Sequence, residues 1–372
     1  MDRQKALMML QQFVLELGIA GIESKTDFRL WAKDNDDLLE ELFDYERDVD
    51  MPRVSALISP FFHRDLPLVG VNYSQVAHNV LYKCPQGWTT QLRMCRGIVF
   101  DRVGELVALP LHKFFNAGEN PETTRVPGEP KEVLEKMDGH LGIIFKYAKD
   151  FLLTTRGSFY SNTAGFAGEM LKEFVERNKW HEAGVDRLTI MPEVIHPDTQ
   201  VICDYGFKKN FILIAANDLH TLESLPHEDL LRLGKKLGMP VVKRWPFTST
   251  RQILDQMKDP SVRNREGYVV RYADGRSVKF KFHTYLAEMR ARKLSYSYLM
   301  LRFMDGRIDE VMRMFPEEIL SEAENMLADL KKARKMRRDI KQKRKYLYDL
   351  VPPEEFTPYY RTVCRDFLRY TK

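Results

Sequence analysis

The sequence is poor in cysteine: Cys84, Cys95, Cys203 and Cys364 are the only four in 372 residues, and none stands in a CxxC pair. That spacing gives no support to a zinc knuckle or a disulfide framework and fits a reducing, intracellular setting. No apolar run approaches the ~20 residues that a membrane span requires, so no membrane partner is expected. The opening Met1-Asp2-Arg3-Gln4-Lys5 leads into an amphipathic pattern instead of the apolar block of a signal peptide. Internal repeats and low-complexity linkers are also missing.

Charge of one sign is scarce overall, at a formal net +5, but it is concentrated. The stretch Lys331 to Lys345, "KKARKMRRDIKQKRK", holds ten basic residues against Asp339, which leaves the rest of the chain at −4. Lys331, Lys332, Arg334, Lys335, Arg337, Arg338 and Lys341 therefore form a local nucleic-acid-binding candidate, although the same pattern also describes a solvated helix. A hydrophobic content of 44% and a length of 372 residues allow two or three domains of ordinary globular composition.

Helical spacing is present at Leu7, Leu10, Phe13, Val14 and Leu17, with Gly18 as a stop, and again at Leu38, Leu39, Leu42 and Phe43. From Leu66 the texture turns to short β-rich runs: "LPLVGVNY", "CRGIVFD", "ELVALPL", "LGIIFKY", "LTIMPEVI", "QVICDYG" and "FILIAAND". Helices are expected near Ala164–Arg177 and Glu228–Leu237, and a hairpin turning at Asp274-Gly275. Beyond His283 the β texture ends. Tyr285–Arg292, Tyr296–Met304, Pro316–Lys345 and Tyr359–Tyr370 read as helices, with a break at Pro352-Pro353. The expected architecture is α+β: a helical N-terminal extension over 1–65, a central domain of mixed and antiparallel sheets over 66–283, and an all-helical domain over 284–372.

The stretch "EKMDGHLGIIF", Glu135 to Phe145, places Lys136 two residues before Asp138-Gly139. Asp-Gly between apolar runs is a hairpin signal, because both residues tolerate positive φ. Lys136 is then either a solvated surface amine or a nucleophile. Other segments fall in order around it. "CRGIVFD" supplies Arg96, "HKFFNAGEN" Lys113 and Phe115, and "TTRGSF" Arg156; "MPEVIHPD" supplies Glu193, "REGYVV" Glu266, and "VKFKF" Lys279 and Lys281. Each has a plain explanation too. Lys279 and Lys281 alternate with apolar residues, as on the wet face of a half-buried strand. Arg96 and Arg156 precede glycines that are equally turn signals. Glu193 lies inside an apolar run, where a carboxylate needs a partner.

The ordered set KxDG, Glu, EGxV and VKxK resembles the covalent nucleotidyltransferase superfamily of ATP-dependent ligases and capping enzymes. "CRGIVFD", "KFFN" and the RG-S segment resemble more narrowly the ATP-dependent RNA ligases of the phage tRNA-repair type. The resemblance spans roughly Leu66 to Tyr285. It implies that Lys136 attacks the α-phosphorus of ATP and carries AMP, and that Lys279 and Lys281 neutralise the transferring phosphate. Glu266 and Glu193 would serve a Mg2+ or Mn2+ ion, with Glu193 also near the ribose. Arg96, Lys113 and Arg156 would hold the β- and γ-phosphates, Phe115 would pack on adenine, Asp138 would lie close to Lys136, and Gly139 would leave room by the nucleotide. Arg156 replaces a lysine common in the family. A lysine near pKa ~10.4 is mostly charged at neutral pH. Lys279, Lys281 and partial burial are therefore expected to push the Lys136 amine down, and a bound metal ion would add to them.

The implied reaction joins 5′-phosphate and 3′-hydroxyl RNA ends. A nicked tRNA is one substrate, and an end-healing kinase-phosphatase is one partner. The implied setting is cytoplasmic, in the host if the chain is phage-encoded. Two rivals stand beside this reading. A DNA ligase or capping guanylyltransferase would normally continue past VKxK into a β-rich OB-fold, whereas this chain turns helical at His283. A non-catalytic RNA-binding protein would use the basic tail alone, and need not keep Lys136, Glu266, Lys279 and Lys281 together.

Overall fold

Three sheets carry the fold of the computed structural model, which describes residues 3–49, 51–81, 87–315, 317–336 and 340–350. Strands β1 (Ile58–Phe62), β2 (Leu68–Tyr73), β3 (Arg96–Asp101) and β4 (Leu106–Ala108) form an antiparallel meander. The second and third sheets interleave along the chain. Strands β5 (Phe115–Asn116) and β6 (Glu132–Lys136) enter a five-stranded sheet, and β7 (His140–Tyr147), β8 (Asp150–Thr155), β9 (Leu188–Ile195) and β10 (Asn210–Asp218) build a four-stranded one. Strands β11 (Arg244–Trp245), β12 (Gly267–Arg271) and β13 (Ser277–Lys281) complete the five-stranded sheet in the order β11-β6-β12-β13-β5. The four-stranded sheet has the order β10-β9-β7-β8 and is antiparallel throughout. The expected mixture of helix with antiparallel sheet is what the chain adopts.

Helices cover the sheets on the faces that the apolar periodicity marks. The Asn162–Arg177 helix starts at Ser161, whose hydroxyl accepts from the Ala164 N–H, and buries Ala164, Ala167, Met170, Leu171 and Phe174 along one stripe. That stripe and Leu230, Leu233 and Leu237 of the His227–Leu237 helix share a core with Ile190 and Phe211 of the β7–β10 sheet. The other face of this sheet meets the first meander through Ile143 and Phe145 against Phe61, Leu68 and Val99.

The N-terminal segment is part of a further core. Leu10, Phe13 and Leu17 of the Arg3–Ile19 helix and Phe43 pack with Val71, Ile98 and Phe100 of the meander. Gly18 does not stop that helix, which runs one residue further. The chain divides into two compact units, Met1–Leu254 with Arg265–Phe280, and Asp255–Asn264 with Lys281–Lys372. Described helices of the second unit run over His283–Lys293, Tyr296–Met304, Ile308–Met314, Glu317–Lys335 and Ile340–Leu350. The helix expected over Tyr359–Tyr370 lies outside the described residues, as do Cys84 and Cys364.

Two expectations need correction. Asp138-Gly139 is not a hairpin turn: it carries the chain from β6 in one sheet to β7 in another. The hairpin comes later, where Ala148, at φ 53°, turns β7 into β8. "QVICDYG" is not a strand either. The N–H groups of Ile202 and Cys203 donate to the Asp138 carboxylate at 2.8 and 2.6 Å, so a side chain takes the donors that a ladder would have used. The hairpin at Asp274-Gly275 does form, with Gly275 at φ 85° between β12 and β13.

Candidate active site

Lys136 is the last residue of β6, and in the antiparallel β6–β12 pair it stands opposite Gly267. Glu266, one residue before Gly267, is thereby placed beside it, and the Lys136 ammonium donates to Glu266 Oε2 at 2.6 Å. The Glu266 side chain is 6% exposed and that of Lys136 21%, so the pair is mostly shielded but reachable from one side. A contact between residues 130 positions apart is thus set by strand register.

Asp138 and Gly139 lock the next turn of chain. The Asp138 N–H donates to the Tyr205 hydroxyl at 3.0 Å while its carboxylate binds the 202–203 backbone. Gly139 donates its N–H to Glu193 Oε1 at 3.1 Å. A Cβ on Gly139 would stand 2.6 Å from Val194 O and 3.0 Å from Glu193 Cγ. The room that glycine supplies is therefore occupied by strand β9. Glu193 lies on β9 opposite Leu141 of β7, which brings its carboxylate to the same place as Lys136 and Glu266.

The electrostatics reverse one expectation. Burial alone would push the Lys136 amine down, but Glu266, Glu193 and Asp138 outweigh it and the amine is held above its ordinary range. The expected depression by cations fails because the groups packed on the ammonium are carboxylates. Glu193 is pushed up to about 7, first by burial, with Lys136 pulling it down and Glu266 pushing it up further. Near neutrality Glu193 is therefore poised between acid and carboxylate.

The remaining cations sit around two aromatic rings. Arg96 begins β3, donates to Leu111 O at 3.2 Å, lies 5.6 Å from the Phe114 ring centre, and is close enough to Glu193 to pull its carboxyl down. Lys279, on β13, approaches the same Phe114 ring at 5.0 Å. Val278 and Phe280 are buried while Lys279 and Lys281 share the other face of the strand, as the i, i+2 spacing predicts. Lys281 belongs to the second compact unit. Arg156 donates to the Tyr73 hydroxyl at 2.6 Å. Gly97, at φ 89°, lets β3 approach Arg156, since a Cβ there would lie 3.0 Å from its Cα and carbonyl oxygen. Lys113 is 4% exposed among Tyr73, Trp88 and Phe115, with its amine 3.5 Å from His78 Nδ1.

Phe115 is not placed to meet a base: it is buried in the core edge-on to Trp88, with ring centres 5.9 Å apart. The half-buried ring between the two site cations is its neighbour Phe114. The alternation of side chains entering β5 decides which phenylalanine points where, and "KFFN" carries that signal only once the strand's inner face is known. Tyr73 and Tyr205 also escaped sequence reading. Their roles come from pairings across 83 and 67 residues, which nothing local marks.

The donor set fits a hard divalent ion. Among the described residues no cluster of three or more His, Cys, Asp or Glu has metal-holding geometry. A Mg2+-like ion, however, takes one or two carboxylates and completes its shell with water and phosphate oxygens. Glu266 and Glu193 are the two carboxylates that would hold such an ion, and its charge would favour the ionised form of Glu193, which burial first and Glu266 second push toward protonation.

The chain is similar to proteins described as RNA ligases. It is 31% identical over 167 residues to a protein of Thermovibrio ammonificans described as an RNA ligase, covering 42% of this chain and 43% of that one. It is 27% identical over 214 residues to RNA ligase 1 of Bacteriophage TS2126, covering 51% and 50%. The chain spans about half the length of these relatives. Among solved structures, an archaeal ATP-dependent RNA ligase superposes with a TM-score of 0.45 at 15% identity, covering 86% of this chain and 75% of that one. Residues 94–288, which include Lys136, Glu193, Glu266, Lys279 and Lys281, match the RNA ligase family, and the chain belongs to that family.

Proposed function

We propose that this protein is an ATP-dependent RNA ligase acting through a covalent adenylate on Lys136. Its nitrogen forms a bond to the α-phosphorus of ATP as the bond to the bridging oxygen breaks, and pyrophosphate leaves with that electron pair. The amine must first lose a proton, and Glu266 Oε2, at 2.6 Å, is the acceptor beside it. A 5′-phosphate oxygen of RNA then takes the adenylyl group from the nitrogen, and a 3′-hydroxyl displaces AMP to make the phosphodiester. Glu266 and Glu193 would hold a Mg2+ or Mn2+ ion, whose positive charge would offset the negative charge of the triphosphate.

Arg96, which acts on Glu193, and Lys279, which shares the Phe114 ring with it, together with Arg156 and Lys113 around Tyr73, would orient and neutralise phosphate oxygens. Lys281 is the second lysine of the VKFKF strand, and the resemblance to RNA ligases implies the same role for it. Tyr73 supports this division of labour, since it braces Arg156 through its hydroxyl and lies 5.5 Å from the Lys113 amine. The segment over 284–372, whose described part is helical, would serve as an RNA-binding domain. Lys331, Lys332, Arg334 and Lys335 are exposed at the end of the Glu317–Lys335 helix, where cations suit the helix dipole. Arg337 and Arg338, and the Lys341 side chain, lie outside the described residues. Repair of nicked tRNA, with a kinase-phosphatase healing the ends, is the setting that this chemistry suits.

The observation that carries the reading is the Lys136–Glu266 pair, one half-buried nucleophile candidate held within a cluster of carboxylates. It is tested by incubating the chain with ATP labelled in the α-phosphate and a divalent ion, then separating it under denaturing conditions. Covalent label that disappears in Lys136→Ala supports the assignment. Absence of label, or label that persists in Lys136→Ala, overturns it.

A further inference from the structure

The loop that follows β9 ends in an aromatic–basic tip that the adenylyl-transfer chemistry leaves unused. Phe207 is 97% exposed, and it is followed by Lys208 and Lys209, both exposed. Among the described residues neither lysine forms an ion pair. The tip is fixed close to the catalytic turn. Asp138 accepts from Ile202 and Cys203, Tyr205 accepts from the Asp138 N–H, and Asp204 Oδ1 accepts from the Gly206 N–H at 2.7 Å. Gly206, at φ 67°, then turns the chain outward. Asp138, Gly139, Cys203, Tyr205, Gly206 and Lys208 line one pocket, so the tip stands at the rim of the cavity beside the Lys136 turn.

An aromatic face flanked by cations at the edge of a site is what single-stranded nucleic acid requires. Bases stack on the ring without regard to sequence, and the lysines take the intervening phosphates. We propose that Phe207, Lys208 and Lys209 form a single-stranded RNA contact that holds the strand next to the end being joined. The ring stacks on a base, and the two ammonium groups bind phosphates on either side of it. This contact rests on the RNA ligase reading above and names the part of the substrate that the first compact unit grips.

The test uses the full chain and a fluorescein-labelled single-stranded oligoribonucleotide, with binding read by anisotropy over a series of salt concentrations. Adenylylation of the unaltered chain by ATP is measured in parallel, and its failure would defeat the ligase reading without touching the RNA contact. Phe207→Ala should weaken RNA binding about fivefold or more, and Phe207→Trp should restore it, since base stacking contributes about 1–3 kcal/mol. Lys208→Ala with Lys209→Ala should weaken binding and flatten the logarithmic salt dependence by about 1.4, at roughly 0.7 for each phosphate left without its lysine. Unaltered RNA affinity in both variants would overturn the proposal. So would a rise in the KM for ATP with RNA affinity unchanged, which would place the ring on nucleotide. Loss of self-association in Phe207→Ala by sedimentation, again with RNA affinity unchanged, would assign the tip to a protein partner and overturn it equally.

Discussion

Lys136 and Glu266 meet at 2.6 Å across strands β6 and β12, although 130 residues separate them in sequence. The contact explains how a mostly shielded amine keeps its charge: the carboxylate stabilises the ammonium against the cost of desolvation. It also means that the charge state of Lys136 is set by its partner.

Glu266→Gln should lower the pKa of Lys136, because the largest attraction holding the amine charged is removed while burial still pushes it down. Reactivity of the Lys136 amine toward an acylating reagent, followed against pH without nucleotide, should therefore begin at lower pH in the variant. If Glu266 also serves the divalent ion as proposed, the same variant should lose adenylylation by ATP. An unshifted reactivity profile would show that Glu266 does not control the amine.

Glu193 predicts a pH dependence of stability. Its folded pKa of about 7 lies above the ordinary carboxyl value of 4.5, so between these limits the folded chain binds more protons than the unfolded one. Its contribution to stability is therefore full below about pH 4.5 and is lost as pH rises through 7. The stability difference between Glu193→Gln and the unaltered chain, measured by denaturant unfolding, should shift in favour of the glutamine as pH rises through this window. A difference independent of pH would contradict the burial of that carboxyl.

Gly139→Ala should cost about 1–3 kcal/mol, because the new methyl meets strand backbone that cannot give way. A Cβ there would lie 2.6 Å from Val194 O, whereas at Gly165, inside the Asn162–Arg177 helix, it would meet nothing within 4 Å. Gly165→Ala should instead gain up to about 1 kcal/mol from helix propensity. Thermal unfolding of the two variants side by side checks both signs.

The two neighbouring phenylalanines should part company. Phe115→Ala removes a core side chain and should destabilise the protein by about 3–5 kcal/mol. Phe114→Leu should leave unfolding nearly unchanged but slow adenylylation, because Arg96 and Lys279 lose the ring face between them. Unfolding and single-turnover label transfer, measured on both variants, separate the roles.

Salt should divide the two halves of the reaction. RNA binding that depends on the basic run after Lys331 should weaken steeply as salt rises, while adenylylation of Lys136 by ATP responds little. Equal responses would remove the distinction between a catalytic unit and an RNA-gripping one.

Much of this was legible in the residues themselves. The alternation of VKFKF fixed Lys279 and Lys281 on one strand face, Asp274-Gly275 fixed a hairpin, and the apolar stripe of Ala164–Arg177 fixed a helix, because each depends only on near neighbours. The order of Lys136, Glu193, Glu266 and the VKxK lysines was likewise written in the chain and pointed to the RNA ligase family, which residues 94–288 match.

What sequence left open were the questions that packing answers. Asp138-Gly139 reads as a turn, yet it crosses between sheets because β9 and the 202–203 backbone claim its hydrogen bonds. "KFFN" offers two rings, and only the buried face of β5 decides that Phe115 belongs to the core and Phe114 to the cations. Lys136 reads as an amine to be depressed by lysines, but strand register surrounds it with Glu266, Glu193 and Asp138 instead. Local pattern sets which elements form, and long-range pairing sets which charges meet. The sign of a pKa shift depends on the second.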